Sequence, residues 1–396
     1  MSQMSHPSLE PLLSHEGWVH ASSEAVEASD PGRFHALFGR DSLITALQVL
    51  RRRPEVATAT LRALASRQGV VTDPETEEQP GRILHEDRPV APDWLVAQGW
   101  PVRDGALRYF GTSDATSWFL VLLDATDDPA LGEELGGARE RAAAWLEGAL
   151  AAGDGLVRCG PRTSPGGLSQ QGWRDARDPQ HDENGGGIVR PDGSAPTSPL
   201  ADADSQAAAV AALDALVRLD PDRATHWAGL AAALRARVEA AFSPEVMALE
   251  ADDRPVAGAG SQLGWLLWAG ALSPAATARA AERLSRPDVL TAYGVRTLAS
   301  SHPAFQAEGY HRGTVWPFDC WLAWGGLRAA GHLEAAEQVR EGVRRAVAQL
   351  GRFPELYAVT PTGELRGVPV ANRVQAWTVG AMIAFDDDWD ASPAHG

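Results

Sequence analysis

Apolar residues recur every three to four positions along most of the chain, while strand-like alternation is scarce. The pattern predicts a first barrel helix from Asp41-Ser42-Leu43-Ile44-Thr45-Ala46-Leu47 that stops before Pro54, and a second at about 56–66. Further helices are expected at about 114–126, 130–151, 202–218, 222–241, 261–271, 274–285, 316–330, 333–350 and 373–386. One more is expected within 8–28, which brings the count to about twelve. Asp127-Asp128-Pro129, Asp220-Pro221 and Ser273-Pro274 each set a capping residue before a proline at the first helical position. Gly331 stands where a helix C-terminal glycine belongs.

The helices fall in pairs joined by short turns, 41–52 with 55–68 and 114–126 with 130–151 among them. Six pairs can close into a ring of inner and outer helices, an all-α (α/α)6 barrel. Twelve could also stack as an open solenoid, but no motif repeats at a fixed period, which favours the closed ring. The expected division is an N-terminal segment with its helix over 1–33 and a barrel over 34–390. Four long segments rich in Gly, Pro, Asp and Trp interrupt the helices, at about 69–113, 152–200, 286–315 and 351–372. Each follows the second helix of a pair, so all four emerge at one end of a barrel. Loops of that length inside a folded unit are usually functional, and the site is expected there.

Composition narrows the function classes. The net charge is −17, and all 35 basic residues are arginine; this argues against nucleic acid and anionic membranes as partners. Cys159 and Cys320 are the only cysteines, too few for a disulfide framework or a zinc cluster. The start, Met1-Ser2-Gln3-Met4-Ser5-His6, lacks a basic and apolar leader, and the most apolar stretch, Gly264–Gly270, is too short to span a bilayer. A cytoplasmic protein is expected. Tryptophan is abundant, 14 residues against 9 phenylalanines, and its flat face with one N–H donor suits a sugar ring. About half are expected to fill the helical core instead.

Chemistry concentrates in the loops. In Gln171-Gly172-Trp173-Arg174-Asp175, Trp173 can desolvate the carboxyl and raise its pKa, whereas Arg174 and Arg177 would lower it if they pointed at it. Spacing alone leaves Asp175 open between a proton donor and a surface ion pair. Glu355 in Arg352-Phe353-Pro354-Glu355-Leu356-Tyr357 is a carboxylate in apolar surroundings, which needs a partner or a task. Arg40 and Asp41 open a helix, where Asp41 can cap it or the pair can hold adjacent sugar hydroxyls. Asp114 and Trp118, Tyr310, His311, Arg312 and Trp316, and Gln375 and Trp377 lie near helix starts and can face a barrel mouth. His85-Glu86-Asp87 and His181-Asp182-Glu183 lack the spacing of a metal site, so neither a metal nor another cofactor is expected.

Seven stretches taken in order resemble a known family: Phe38-Gly39-Arg40-Asp41-Ser42-Leu43-Ile44, Ile83-Leu84-His85-Glu86, Tyr109–Thr116, Gln171–Asp175, Gly309–Pro317, Pro354-Glu355-Leu356 and Gln375-Ala376-Trp377. The chain is similar over about 34–385 to the (α/α)6 barrels of glycogen-debranching, amylo-α-1,6-glucosidase-like proteins and of glycoside hydrolase family 63. The resemblance implies an inverting α-glycosidase with Asp175 as general acid and Glu355 as general base. Phe353 and Tyr357-Ala358-Val359 depart from the relatives' Leu-Pro-Glu-Leu-Phe pattern, which leaves Glu308 or Asp319 open as the base. It further implies that Arg40 and Asp41 hold the −1 sugar and that Trp316 and Gln375 lie near the aglycone. His85, Asp114, Trp118, Gln171, Trp173, Tyr310, His311, Arg312 and Trp377 complete the expected substrate-binding set.

With little chain before 34 or after 390, a small carbohydrate is a better fit than a branched polymer. Barrels of this size in family 63 include mannosylglycerate and glucosylglycerate hydrolases, whose carboxylate aglycone would call for an arginine such as Arg312 or Arg177. A glucosidase acting on short α-1,6 or other α-gluco-oligosaccharides is the alternative. Sugar 2-epimerases and non-catalytic sugar-binding barrels are the remaining readings. The first would need paired histidines at the barrel centre, where only His311 is well placed.

Overall fold

The computed structural model describes residues 7–24 and 33–393. Along the chain its helices are α1 (Gly39–Val49), α2 (Pro54–Ala65), the short α3 (Asp93–Ala97), α4 (Ala115–Ala125), α5 (Pro129–Glu134) and α6 (Gly136–Ala152). There follow α7 (Ala203–Leu219), α8 (Ala224–Phe242), α9 (Gln262–Trp268), α10 (Pro274–Leu284), α11 (Pro317–Ala329), α12 (Leu333–Leu350) and α13 (Ala376–Asp386).

Burial sorts them into two layers. Every residue of α1 and α9 is buried, as is nearly all of α4, α11 and α13. Helices apolar all round belong inside. By contrast α12 buries only Ala336, Val339, Gly342, Val343, Ala346 and Val347, the single stripe of an outer helix. The inner helices pack in the order α1, α4, α7, α9, α11, α13 and back to α1, so the ring closes and the solenoid is excluded. Outside it α2, α6, α8, α10 and α12 each pack on the inner helix that precedes them in the chain. The fold is an all-α (α/α) barrel.

The helix expected within 8–28 does not form in its described part. Residues 7–24 hold one 3-10 turn, Glu10–Leu12, and are otherwise extended; 25–32 lie outside the described residues. The Ser14 hydroxyl accepts from the Glu16 and Trp18 N–H groups, and Gly17 turns the chain at φ +88°, which breaks any helix there. The segment instead runs along α1 and α13. Glu10 pairs with Arg53 at 2.8 Å, the Val19 carbonyl accepts from Ser42 Oγ, and Ser22 bridges to Gln375. Leu9, Leu12 and Val19 are buried against the barrel.

All the long connections join the C-terminus of an outer helix to the N-terminus of an inner one, so they share one end of the ring. A fifth, between α8 and α9, was not expected. They carry short antiparallel strands: β2 (Glu86–Arg88) and β3 (Leu107–Tyr109) in one sheet with β1 (Leu37–Phe38), which precedes α1, and β4 (Ala201–Asp202), β5 (Val246–Leu249) and β6 (Pro255–Ala257) in another. Two hairpins, β7 (Leu290–Thr291) with β8 (Gly294–Val295) and β9 (Tyr357–Val359) with β10 (Leu365–Gly367), complete the loop layer. Among the described residues no helix is long and apolar enough to cross a membrane.

Candidate active site

The N-termini of the inner helices converge beneath this loop layer, around a cavity of about 600 Å³. Gly39 begins α1 where any Cβ would meet the Leu84 carbonyl oxygen at 2.2 Å, and its N–H donates to the His85 carbonyl at 3.0 Å. This close approach sets Arg40 and Asp41 on the first turn, against the cavity. Gln375, which caps the start of α13, donates from Nε2 to Asp41 Oδ1 at 3.2 Å. Burial pushes the Asp41 carboxyl up to about 7, against the pull of Arg40, with the charges of Asp175 and Glu355 adding to the rise.

Asp175 sits in a tight loop closed by the pairing of Gln170 with Ala176. Neither flanking arginine points at it. Arg174 turns inward, pairs with Asp204, donates to Ser261 Oγ at 2.7 Å and lies over the Trp173 ring. Arg177 turns away and donates to the Gln98 side chain and backbone. The Asp175 side chain is left 30 % exposed, facing the cavity. Loss of solvation pushes it up to about 6; Arg40 opposes the rise, and Asp114 and Glu86 reinforce it.

Glu355 faces the same cavity from the loop between α12 and β9. The Tyr310 hydroxyl donates to its Oε1, and the Asn372 N–H donates to Oε2 at 3.0 Å. Burial raises it to about 7; those two donors and Arg33 pull it down, and the charge of Asp175 pushes it up. Asp175 and Glu355 therefore share one cavity with Asp41 and Glu86, and both Glu355 and Asp41 feel the charge of Asp175.

Five of the 14 tryptophans line this cavity: Trp94, Trp100, Trp173, Trp316 and Trp377. His311 stacks on Trp316 with ring centroids 5.4 Å apart, and its Nδ1 accepts the Gly187 N–H, which leaves Nε2 as the donor. Burial holds both His311 and His85 well below the usual histidine range. Both are therefore neutral hydrogen-bonding groups.

Of the expected residues, Arg40, Asp41, His85, Trp173, Asp175, Tyr310, His311, Trp316, Glu355, Gln375 and Trp377 are brought to the cavity. Four are not. Trp118 lies deeper in the barrel against Trp265 and Trp268, because one turn into α4 its side chain already points at the barrel core. Asp114 is fully buried beside Arg40. The Gln171 amide donates to Glu77 and Leu168 and accepts from Arg82, behind the loop that carries Asp175. Arg312 donates from Nη2 to the carbonyls of Pro179 and Gly186 and, like Arg177, does not line the cavity. The alternative bases also lie off the cavity: Glu308 is exposed opposite Arg366, and Asp319 accepts from Trp265 Nε1 at 2.6 Å in the core.

Sequence reasoning missed Arg33, Glu86, Arg88, Trp94, Gln98 and Trp100 as cavity residues. Glu86 was visible as part of an acidic run and at the end of the Ile83–Glu86 stretch, without a role of its own; Trp94, Gln98 and Trp100 ride on or just beyond α3, whose five residues are too few for a periodic signal. Among the described residues no group of three His, Cys, Asp or Glu side chains is placed to hold a metal ion.

A closed (α/α) barrel whose mouth holds desolvated carboxyls among tryptophans has the build of a glycoside hydrolase. The family model of the mannosylglycerate hydrolase MGH1-like glycoside hydrolase domain matches residues 40–378, and the chain belongs to that family. Among solved structures, the chain is similar to the family 63 mannosylglycerate hydrolase of Thermus thermophilus in complex with Tris and D-glycerate. The identity is 16 %, with 96 % of this chain and 99 % of that chain covered at a TM-score of 0.69. The same enzyme in complex with Tris matches at 17 % identity, over 94 % and 97 % of the two chains, with a TM-score of 0.66. Its complex with glucose matches at 16 %, over 93 % and 96 %, with a TM-score of 0.65. At these identities the likeness is one of fold. No curated protein sequence matches the chain.

Proposed function

We propose that the chain is an inverting α-glycosidase acting on mannosylglycerate or glucosylglycerate, with Asp175 as general acid and Glu355 as general base. The observation that carries this reading is the pair itself: two carboxyls raised to about 6 and about 7, facing one cavity of about 600 Å³. That volume suits a disaccharide-sized ligand.

In the reaction Glu355 takes a proton from water while the water oxygen attacks the anomeric carbon. Protonated Asp175 gives its proton to the departing glycosidic oxygen, so charge balances and configuration inverts. Room for the water calls for carboxyls about 6.5–9.5 Å apart. Arg40, Asp41 and Gln375 offer donors and acceptors to the hydroxyls of the −1 sugar, and the tryptophans offer it apolar faces. The substrate choice is supported by the family and by the Thermus relative, whose structures hold D-glycerate and glucose. Arg33, rather than Arg312 or Arg177, is the cavity arginine that could meet a glycerate carboxylate, since Arg88 is already paired with Glu86 and donates to the Arg33 carbonyl. A second reading, a short α-gluco-oligosaccharide, is favoured by the neutral Trp94 and Trp100 on the wall.

The test offers mannosylglycerate, glucosylglycerate, isomaltose, panose and trehalose to the wild-type protein and follows the product anomer by NMR. Hydrolysis with inversion is expected; retained configuration would sink the mechanism. Asp175→Asn and Glu355→Gln should each lose roughly two to four orders of magnitude in rate.

A further inference from the structure

Arg40 is a hazard to the proton donor it touches. A guanidinium free to form a two-bond pair with Asp175 would hold that carboxyl ionised and empty of the proton it must give. The structure shows why this pair does not form. Arg40 donates from Nε to Asp114 Oδ2 at 2.8 Å, and Nη2 lies 3.5 Å from Thr112 Oγ1. Only Nη1 reaches Asp175, and at 3.5 Å that contact is at the outer limit of a hydrogen bond. Thr112 Oγ1 in turn donates to Asp114 Oδ1 at 3.0 Å, which fixes the carboxylate in place.

We propose that Asp114 is a positioning residue, which holds Arg40 by its Nε, with Thr112 beside Nη2, so that this cation cannot strip the proton donor. The proposal rests on the reading of Asp175 as the general acid. It also replaces the expectation that Asp114 touches substrate, since Asp114 is fully buried and does not face the cavity.

The charges around Asp175 support it. Arg40 is the only cation among the leading influences on that carboxyl, and Asp114 and Glu86 act on it as anions. Across the cavity stand Asp41, Glu355 and the Tyr310 phenol, which all feel Asp175, while His85 and His311 are kept uncharged by burial. Arg174 and Arg177 point elsewhere. Removal of Asp114 therefore acts twice in one direction: it deletes a nearby negative charge and it frees Arg40.

The experiment compares Asp114→Asn with wild type on two substrates of the same sugar, the O-glycoside and the α-fluoride. Fluoride departs with little protonic help, so a starved acid slows the O-glycoside selectively. The expected result is a fall of about tenfold or more in kcat on the O-glycoside, tenfold corresponding to one unit of pKa in the donor, with a far smaller fall on the fluoride. An equal fall on both, a change in KM alone, or no change would overturn the proposal. Should Asp114→Asn fail to fold, Thr112→Val loses the hydroxyl that fixes Asp114 and should show the same selectivity, more weakly; equal losses there would overturn it too. Should wild type hydrolyse neither substrate, the glycosidase reading falls. The positioning claim is then decided by carbon-13 NMR titration of the Asp175 carboxyl. Its midpoint drops in Asp114→Asn if the claim holds and stays in place if it does not.

Discussion

At the scale of single residues, two donors hold Glu355, the proposed base, ready to ionise. The Tyr310 hydroxyl and the Asn372 N–H both favour ionised Glu355 against a burial that pushes it up to about 7. Tyr310→Phe removes one of them, so the Glu355 pKa should rise further. Activity near neutrality should fall, and the limb of the kcat/KM profile that belongs to Glu355 should move to higher pH; a pH series on the variant would show it, and an unmoved limb would deny Glu355 its role. The profile must be read as that of a pair. With Asp175 near 6 and Glu355 near 7, the working form, acid protonated and base ionised, has the same proton count as its inverse. Much of this was legible in the sequence, but unevenly. Glu355 stood out because Phe353, Pro354 and Leu356 surround it with apolar surface. Asp175 stayed ambiguous because sequence cannot say where Arg174 and Arg177 point, and both point away. Asp114 and Trp118 were credited to the mouth because both adjoin a helix start. Depth along a helix axis decides such cases, and spacing does not report it.

Among elements, α9 and α11 approach each other backbone to backbone. A Cβ on Gly264 would lie 2.6 Å from the Ala323 Cα, and one on Gly326 would lie 2.6 Å from the Gly264 carbonyl oxygen. These contacts are with backbone, so no side chain can move aside to admit a methyl group. Gly326→Ala should therefore destabilise the fold by about 1–3 kcal/mol, as overpacking of a tight core does, read from denaturant unfolding. A neutral effect would mean that the two helices can separate at little cost. The helices themselves were legible: the expected ranges 316–330 and 333–350 meet α11 at Pro317–Ala329 and α12 at Leu333–Leu350. Their arrangement was less so. The stretch from Gly264 to Gly270 showed in the sequence as an apolar run; its glycine as a helix contact shows only in three dimensions. The N-terminal segment misled for a local reason, since Leu9, Leu12 and Leu13 start a helical spacing that Gly17 ends.

For the whole molecule, the site's chemistry has a consequence for stability. Asp41, Asp204 and Glu355 are raised to about 7, and Asp175 and Asp319 to about 6, all chiefly by burial. In the unfolded chain such groups titrate near about 4. Between that value and the folded one, the native state binds more protons than the unfolded state, so stability falls as pH rises through the window from about 4 to about 7. Glu250 works in the opposite sense. The Arg190 hydrogen bond lowers it to about 2, so its contribution is present above about 4 and fades as pH falls toward the folded value. The net charge of −17 at pH 7 adds self-repulsion on the alkaline side. His85 and His311, kept uncharged by burial, also oppose the carboxyls, because the unfolded chain protonates them below about 6.5. Together these terms place the stability maximum on the acid side of neutrality, near about pH 6. Thermal unfolding followed by calorimetry from pH 4 to 8 should show Tm declining across the upper half of that range. A Tm that climbs from pH 5 to 8 would mean that these carboxyls are not held protonated by the fold. Asp319→Asn separates the cause from general charge: it keeps an acceptor for Trp265 Nε1, removes one buried ionisation, and should make the decline shallower. Asp319 lies off the cavity, so this variant tests the stability of the barrel floor without altering a group that faces the substrate. A barrel that keeps carboxyls dry enough to exchange protons near neutrality gives up stability in the pH range where it would work.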